Sequence, residues 1–416
     1  MNSWSGFYKN IAVMFSGNIA AHLFVILSTP VLARLFLPEE FGLYQLFLSF
    51  TSVSSMLATG KYELAIIAPK HDFVAMYLAI ATTVISFVVS LFIVICCSLC
   101  VDNTDLLTSM FFPGLSLWIG GFTFVLCLYQ VCYMLFIRQA HYKITVTANL
   151  IYSIGCVLFP ILYFYCDFEN GLIKGMVISK LVACVYFLCY IRKGVFKYCK
   201  HIKFYYLIRV LVRYSDFFKF ALPGNVLNTL AANAPAFLLN FFYGMTVTGY
   251  YSMANRCVGV PITLALKSVG DVFKQEASKV YQQYNECYDV FSRVMKLLVK
   301  CSIGYSLIIL SAAPLVFSFV LGEQWRIAGE YAQLLVLVGT TGLVYTPLSS
   351  VFDLAIREYE YMVLQAISLL LVVTTLVLSG KYLSVDYTLF IYSLAISIIN
   401  IAGVIYCREI SKGEKK

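Results

Sequence analysis

Apolar runs of about 20 residues recur along almost the whole chain, from Ile11 to Tyr406, separated by short charged or turn-forming segments. At 1.5 Å per residue, such a run covers the roughly 30 Å hydrocarbon core of a bilayer. Barrel strands would instead alternate over about 10 residues, so the spans read as helices. Composition agrees. Of 416 residues, 61% are hydrophobic and 12% charged, against about half and about a quarter in a soluble domain. The first run passes Pro30 and ends at Arg34 without a small-residue cleavage site, so it reads as a retained span and not a signal peptide.

Runs bounded by charge or turn residues give about twelve helices, at 11–33, 41–59, 73–100, 111–137, 145–166, 171–191, 219–243, 247–270, 290–321, 328–351, 362–379 and 386–407. Basic residues test this count, because short cytoplasmic loops retain Lys and Arg. With the N-terminus inside, the inner loops carry most of the cations and the outer loops only Arg34, Arg326 and Lys381. Both termini are then expected in the cytoplasm. The net charge of +9 is explained by topology and anionic headgroups and gives no argument for nucleic acid. Most of the 14 cysteines lie within apolar runs, where a thiol behaves as a small hydrophobe. Cys96, Cys97 and Cys100 lack a second ligand pair, so no metal site is assigned.

The longest polar interruption, 193–215, interleaves Lys197, Lys200, Lys203, Arg209 and Arg213 with Phe204, Tyr205, Leu207, Ile208, Leu211 and Val212. It reads as an amphipathic helix on the inner leaflet. It follows an even number of spans, so the second half re-enters in the same orientation and the halves are expected to be parallel repeats. The expected division is an N-terminal six-helix lobe at 1–192, a basic linker at 193–218, and a C-terminal six-helix lobe with a short tail at 219–416. Weak symmetry accompanies it: Pro30 precedes Gly42-Leu-Tyr44 as Pro235 precedes Gly249-Tyr-Tyr251. Pro38-Glu-Glu40 reads as a helix start with carboxylates facing the N-terminus.

Four segments carry a family resemblance: Pro30-Val-Leu-Ala-Arg-Leu-Phe-Leu-Pro-Glu-Glu-Phe-Gly42, Gly60-Lys-Tyr-Glu63-Leu-Ala-Ile66, Leu222-Pro-Gly-Asn-Val-Leu-Asn228, and Gly249-Tyr-Tyr-Ser-Met-Ala-Asn-Arg256 with Pro261. The chain resembles the polysaccharide-unit flippases, the Wzx-type O-antigen transporters. The resemblance implies an all-α integral membrane fold of two six-helix lobes around a central cavity, as in the multidrug, oligosaccharidyl-lipid and polysaccharide exporter superfamily. It also implies a bacterial inner membrane and an undecaprenyl-diphosphate-linked oligosaccharide as cargo. A polysaccharide polymerase and a chain-length regulator would be partners.

Charged and amide residues inside spans narrow the candidates, because a charge at the bilayer centre usually faces a cavity or a partner. Lys180 and Arg256 each sit about nine residues into a span, whereas all 21 acidic residues fall in loops or near span ends. A cation-coupled exporter of the same superfamily is expected to hold a carboxylate deep in a lobe, and none is read here. A guanidinium suits a diphosphate, whose oxygens it can pair two at a time; a structural inter-helix pair is the competing reading for Arg256, and more so for Lys180. His22 shares a helix face with Asn18 and Thr29, a face expected to point into protein or water. Asn225, Asn228, Asn233 and Asn240 fall within about 140° of arc at 100° per residue. Amides offer sugars both donors and acceptors, with helix-to-helix hydrogen bonding as the alternative. Pro30, Pro223, Pro235 and Pro261 are the expected hinges. The reading is a transporter, not an enzyme, without cofactor; no G-x-x-x-x-G-K-[ST] loop occurs, so ATP is not the direct energy source and the drive is an unidentified ion (H+ or Na+) or product consumption. A membrane glycosyltransferase or polymerase is disfavoured by outer loops of about ten residues.

Overall fold

The computed structural model describes residues 2–102, 114–199, 204–265, 269–355 and 357–413. The regular elements among them are all helical: α1 Asn2–Leu35, α2 Pro38–Thr59, α3 Tyr62–Ala65, α4 Asp72–Asp102, α5 Leu115–Arg138, α6 Tyr142–Tyr165, α7 Gly171–Cys199, α8 Phe204–Arg213, α9 Leu222–Tyr243, α10 Met245–Ala265, α11 Asp271–Tyr284, α12 Tyr288–Leu321, α13 Arg326–Leu334, α14 Val336–Leu348, α15 Val351–Leu354, α16 Glu358–Tyr382 and α17 Val385–Ser411. Each of the twelve expected spans falls on one of these, the tenth on the pair α13 and α14. The fourth and eighth spans extend in part beyond the described residues.

Eight described helices are long and apolar enough to cross a membrane, and a bent pair makes a ninth. That pair, the tenth span, turns by 55° around Leu335, where the sequence shows an unbroken apolar run and no proline. Helices α9 and α10 have 22 and 21 residues, long enough to cross, but their Asn, Thr, Ser and Arg make them too polar to face lipid all round.

The chain forms two compact units. One holds residues up to Leu35 with Phe47–Val226; the other holds Phe36–Leu46 with the chain from Leu227 onward. The change from the first unit to the second therefore falls within α9, after the basic linker, and the first turns of α2 group with the second unit. In the first unit, Phe122 and Phe187 are among the largest fully buried side chains. In the second, Phe273, Phe291 and Phe352 pack with Leu348, Val351 and Cys407 around the ends of α11, α12 and α17. The start of α2 is capped as its sequence implies: Glu40 Oε2 accepts the Leu37 N–H at 2.9 Å, satisfying one of the donors a helix start leaves open.

Candidate functional site

In the second unit, α10 carries Arg256, half-buried, with its guanidinium carbon 6.0 Å from the ring centroid of Tyr44. No acidic side chain lies within ion-pair distance of Arg256 among the described residues. A guanidinium cannot readily shed its charge, and the face of an aromatic ring stands beside this one. Tyr44 belongs to the first turns of α2, which α10 holds at a backbone crossing. A Cβ on Gly42 would stand 2.1 Å from Met245 O, and one on Gly249 1.8 Å from Pro38 O. Each glycine thus meets the carbonyl four residues before the other. The two Gly-aromatic segments paired as repeat equivalents in the sequence are in direct contact.

The asparagines of α9 differ in their surroundings. Asn228 is exposed, Asn233 is half-buried and Asn240 is buried. Asn233 Nδ2 donates to Thr229 O at 2.8 Å, a bond within its own helix. Asn225, in the first unit, is half-buried. Pro235 is buried inside α9, and Pro261 lies in the last turns of α10. Pro223 stands in the first turn of α9, where a five-residue π-helical turn, Phe217–Ala221, runs directly into that helix, so its missing N–H leaves a carbonyl of the preceding turn without its helical donor.

In the first unit, Lys180 is 8% exposed. Its ammonium lies 3.8 Å from the ring centroid of Tyr129 and 3.5 Å from that of Tyr152. The Tyr129 hydroxyl is hydrogen-bonded to Asn149 Oδ1. Helices α5, α6 and α7 therefore enclose this cation between two aromatic faces, an arrangement that stabilises a lysine without a carboxylate. The sequence placed Lys180 among cargo-binding candidates, with a structural inter-helix pair as the competing reading; the structure places it between the Tyr129 and Tyr152 rings. The expected polar face of α1 is also uneven. Thr29 is buried, its hydroxyl donating to Val25 O at 2.9 Å, while His22 is exposed. The side chain of Asn18 lies outside the described residues. Pro30 sits five residues before the end of α1.

The sequence read every acidic residue in a loop or near a span end; Glu63, between α2 and α4, lies in such a place and is nevertheless buried. Gly60 and Lys61 take left-handed conformations, φ 57° and 62°, and the reversal buries Glu63 to 4% exposure. Its Oε1 is 3.8 Å from Lys61 Nζ, and its Oε2 has no hydrogen-bond partner. The Cys127 thiol of α5 reaches Ser55 O at 3.5 Å. Ser86 of α4 donates to Ala58 O at 3.2 Å. These contacts join α2, α4 and α5, and Ser90 of α4 with Thr123 and Gln130 of α5 also carry buried oxygens without partners.

Comparison with known proteins places this arrangement. A family profile described as polysaccharide biosynthesis protein matches residues 31–329. No curated protein matches the chain. Among solved structures, an inward-facing multidrug resistance MATE family transporter of the MOP superfamily aligns with TM-score 0.70 and 15% identity, covering 96% of this chain and 98% of that one. The lipid II flippase MurJ, in an inward closed conformation, aligns with TM-score 0.71 and 13% identity over 95% of this chain and 86% of that one. A MOP superfamily transporter from Pyrococcus furiosus, with a binding pocket described as of reverse polarity, aligns with TM-score 0.62 and 15% identity over 97% and 94%. The fold is that of the MOP transporters, twelve helices in two lobes. With the profile covering well over half of its length, the chain belongs to the polysaccharide biosynthesis protein family.

Proposed function

We propose that this protein is a flippase that moves an undecaprenyl-diphosphate-linked oligosaccharide from the cytoplasmic to the periplasmic leaflet of a bacterial inner membrane by alternating access. The observation that carries the reading is Arg256: a guanidinium inside a helix of spanning length, beside Tyr44, without an acidic partner among the described residues. A diphosphate supplies the missing counter-charge, and two of its oxygens fit the guanidinium fork. Asn228 and Asn233 offer amide donors and acceptors to sugar hydroxyls, while the polyprenyl tail stays in lipid. Both termini are cytoplasmic in this reading. The drive is an H+ or Na+ gradient or removal of the product, and a polymerase with its chain-length regulator consumes the flipped unit.

The test is reconstitution into liposomes with defined lipid-linked oligosaccharides, scoring which reach the opposite leaflet. Charge-assisted hydrogen bonds contribute about 1.5–3 kcal/mol each, so Arg256→Ala should lower flipping by about 10- to 100-fold at unchanged protein level. Arg256→Lys should retain partial activity. An alanine variant that inserts and flips normally would refute the phosphate role.

One observation favours a second reading, a cation-coupled exporter of small molecules from the same superfamily. The buried Glu63, with its unpartnered oxygen, is the kind of carboxylate such a transporter uses. Gradient-driven efflux of a drug cation that is lost in Glu63→Gln, with no movement of lipid-linked sugar, would move the assignment to that reading.

A further inference from the structure

Helix α8, Phe204–Arg213, presents three faces when its residues are placed at 100° intervals. The first faces protein. Leu207 is buried, and Val210 and Leu211 pack with Tyr214 and Phe217 against a cluster that includes Tyr62, Ile66, Ala75 and Leu78. The second is apolar and uncovered: Tyr205, Ile208 and Val212 are 67%, 47% and 68% exposed. The third is cationic and adjoins the second, with Arg209 and Arg213 both exposed. Among the described residues, neither arginine lies within ion-pair distance of an acidic side chain.

Helix α11 in the other unit provides the contrast. It too is amphipathic, burying Phe273 and Ala277 with Val280 and Tyr281 packed beside them. Its cation Lys274 is committed to Asp353 at 2.6 Å. Its outward face, Gln275, Glu276, Lys279 and Gln283 with the single exposed Val272, is mainly polar and of mixed sign. That is a helix between protein and water. Helix α8 instead keeps an apolar strip in the open beside unpaired arginines, which suits a helix between protein and a charged bilayer surface.

We infer that the outward face of α8 binds anionic phospholipid headgroups, with Tyr205, Ile208 and Val212 in the acyl region and Arg209 and Arg213 on the phosphates. The first face ties this contact to the transporter. Through Leu207, Val210 and Leu211 the helix is locked onto the start of α4 and onto α3, the segment that buries Glu63. Headgroup charge is thereby read by the first unit itself and not only by a passive tether. The inference goes beyond the cargo assignment and holds for any substrate.

Native mass spectrometry of the full-length protein, titrated with palmitoyl-oleoyl phosphatidylglycerol or with the zwitterionic phosphatidylcholine of the same chains, tests it. A cation near an anionic lipid surface contributes about fivefold in affinity, so the pair contributes about 25-fold. Arg209→Gln/Arg213→Gln should therefore weaken phosphatidylglycerol binding by about that factor and leave phosphatidylcholine unchanged. Arg209→Lys/Arg213→Lys should keep the preference. Ile208→Ser/Val212→Ser should weaken both lipids. None of these changes touches the packed face, and monodispersity in detergent checks that each variant folds. Wild-type protein without a preference for phosphatidylglycerol, or a Gln double variant that retains it, overturns the inference. So does displacement of the lipid by inorganic phosphate, which would make the site a plain anion site.

Discussion

Consider the crossing of Gly42 and Gly249, and a single methyl group added at either. In Gly249→Ala the new Cβ would stand 1.8 Å from Pro38 O, and in Gly42→Ala 2.1 Å from Met245 O. Ordinary Cβ contacts lie beyond 3.4 Å, so α2 and α10 would have to separate by about 1.3–1.6 Å. The obstructing atoms are backbone and cannot swing away. Overpacking of this kind costs about 1–3 kcal/mol, offset by up to about 1 kcal/mol because alanine is the better helix former. A net loss of about 1–2 kcal/mol is expected for each variant. Gly304→Ala supplies the control. It is also helical, in α12, with nothing within 4 Å of its Cβ, and it should gain up to about 1 kcal/mol. The measurement is the thermal unfolding midpoint of purified protein in one detergent: Gly249→Ala and Gly42→Ala below wild type, Gly304→Ala at or above it. Because the helices need part only once, the double variant should cost less than the sum of the singles. If Gly249→Ala melts with Gly304→Ala, the crossing is looser than described and Tyr44 is not held where Arg256 meets it.

Three further outcomes follow from the site geometry. Lys180→Ala removes two cation–π contacts and leaves a cavity, for a loss of about 2–4 kcal/mol in thermal stability, with Lys180→Met milder; flipping per folded molecule should not change, and its loss in a stable variant would return Lys180 to the cargo path. In a cysteine-free background, Asn228→Cys should react with a membrane-impermeant thiol reagent faster than Asn233→Cys and much faster than Asn240→Cys, following their exposure; equal rates would contradict the placement of α9. Reporters fused after Lys416 and within 193–215 should be cytoplasmic and one at 102–105 periplasmic, and a periplasmic C-terminal reporter would mean an odd number of crossings.

The spans were legible because their length is dictated by the bilayer, a constraint that acts on each segment alone. What depended on the return of the chain was not. Glu63 lies four residues past the end of α2, where a charge is expected to reach water, and only the left-handed pair Gly60 and Lys61 turns it inward. Lys180 was visible as a mid-span cation, but the rings that enclose it, Tyr129 and Tyr152, come from two other helices. The bend at Leu335 has no proline to announce it. Helix α11 does carry a readable apolar face at Phe273, Ala277, Val280 and Tyr281, obscured by its place in a charged stretch between spans.

The polar content of α9 and α10 bears on the proposed cargo path. Lipid supplies no hydrogen-bond partner, so a side chain such as Asn228, exposed in the protein itself, is tolerated only where water or a ligand replaces the lipid. Arg256, with no acidic side chain in ion-pair distance among the described residues, makes the same demand more strongly, since a guanidinium in hydrocarbon costs several kcal/mol. The outward strip of α12, with Ile303, Leu307, Leu310 and Val316 all exposed, makes the opposite demand and belongs in lipid. The two helices that fall short in hydropathy are therefore those that carry the proposed cargo contacts, and the proposed function accounts for the shortfall as a wet path through the bilayer.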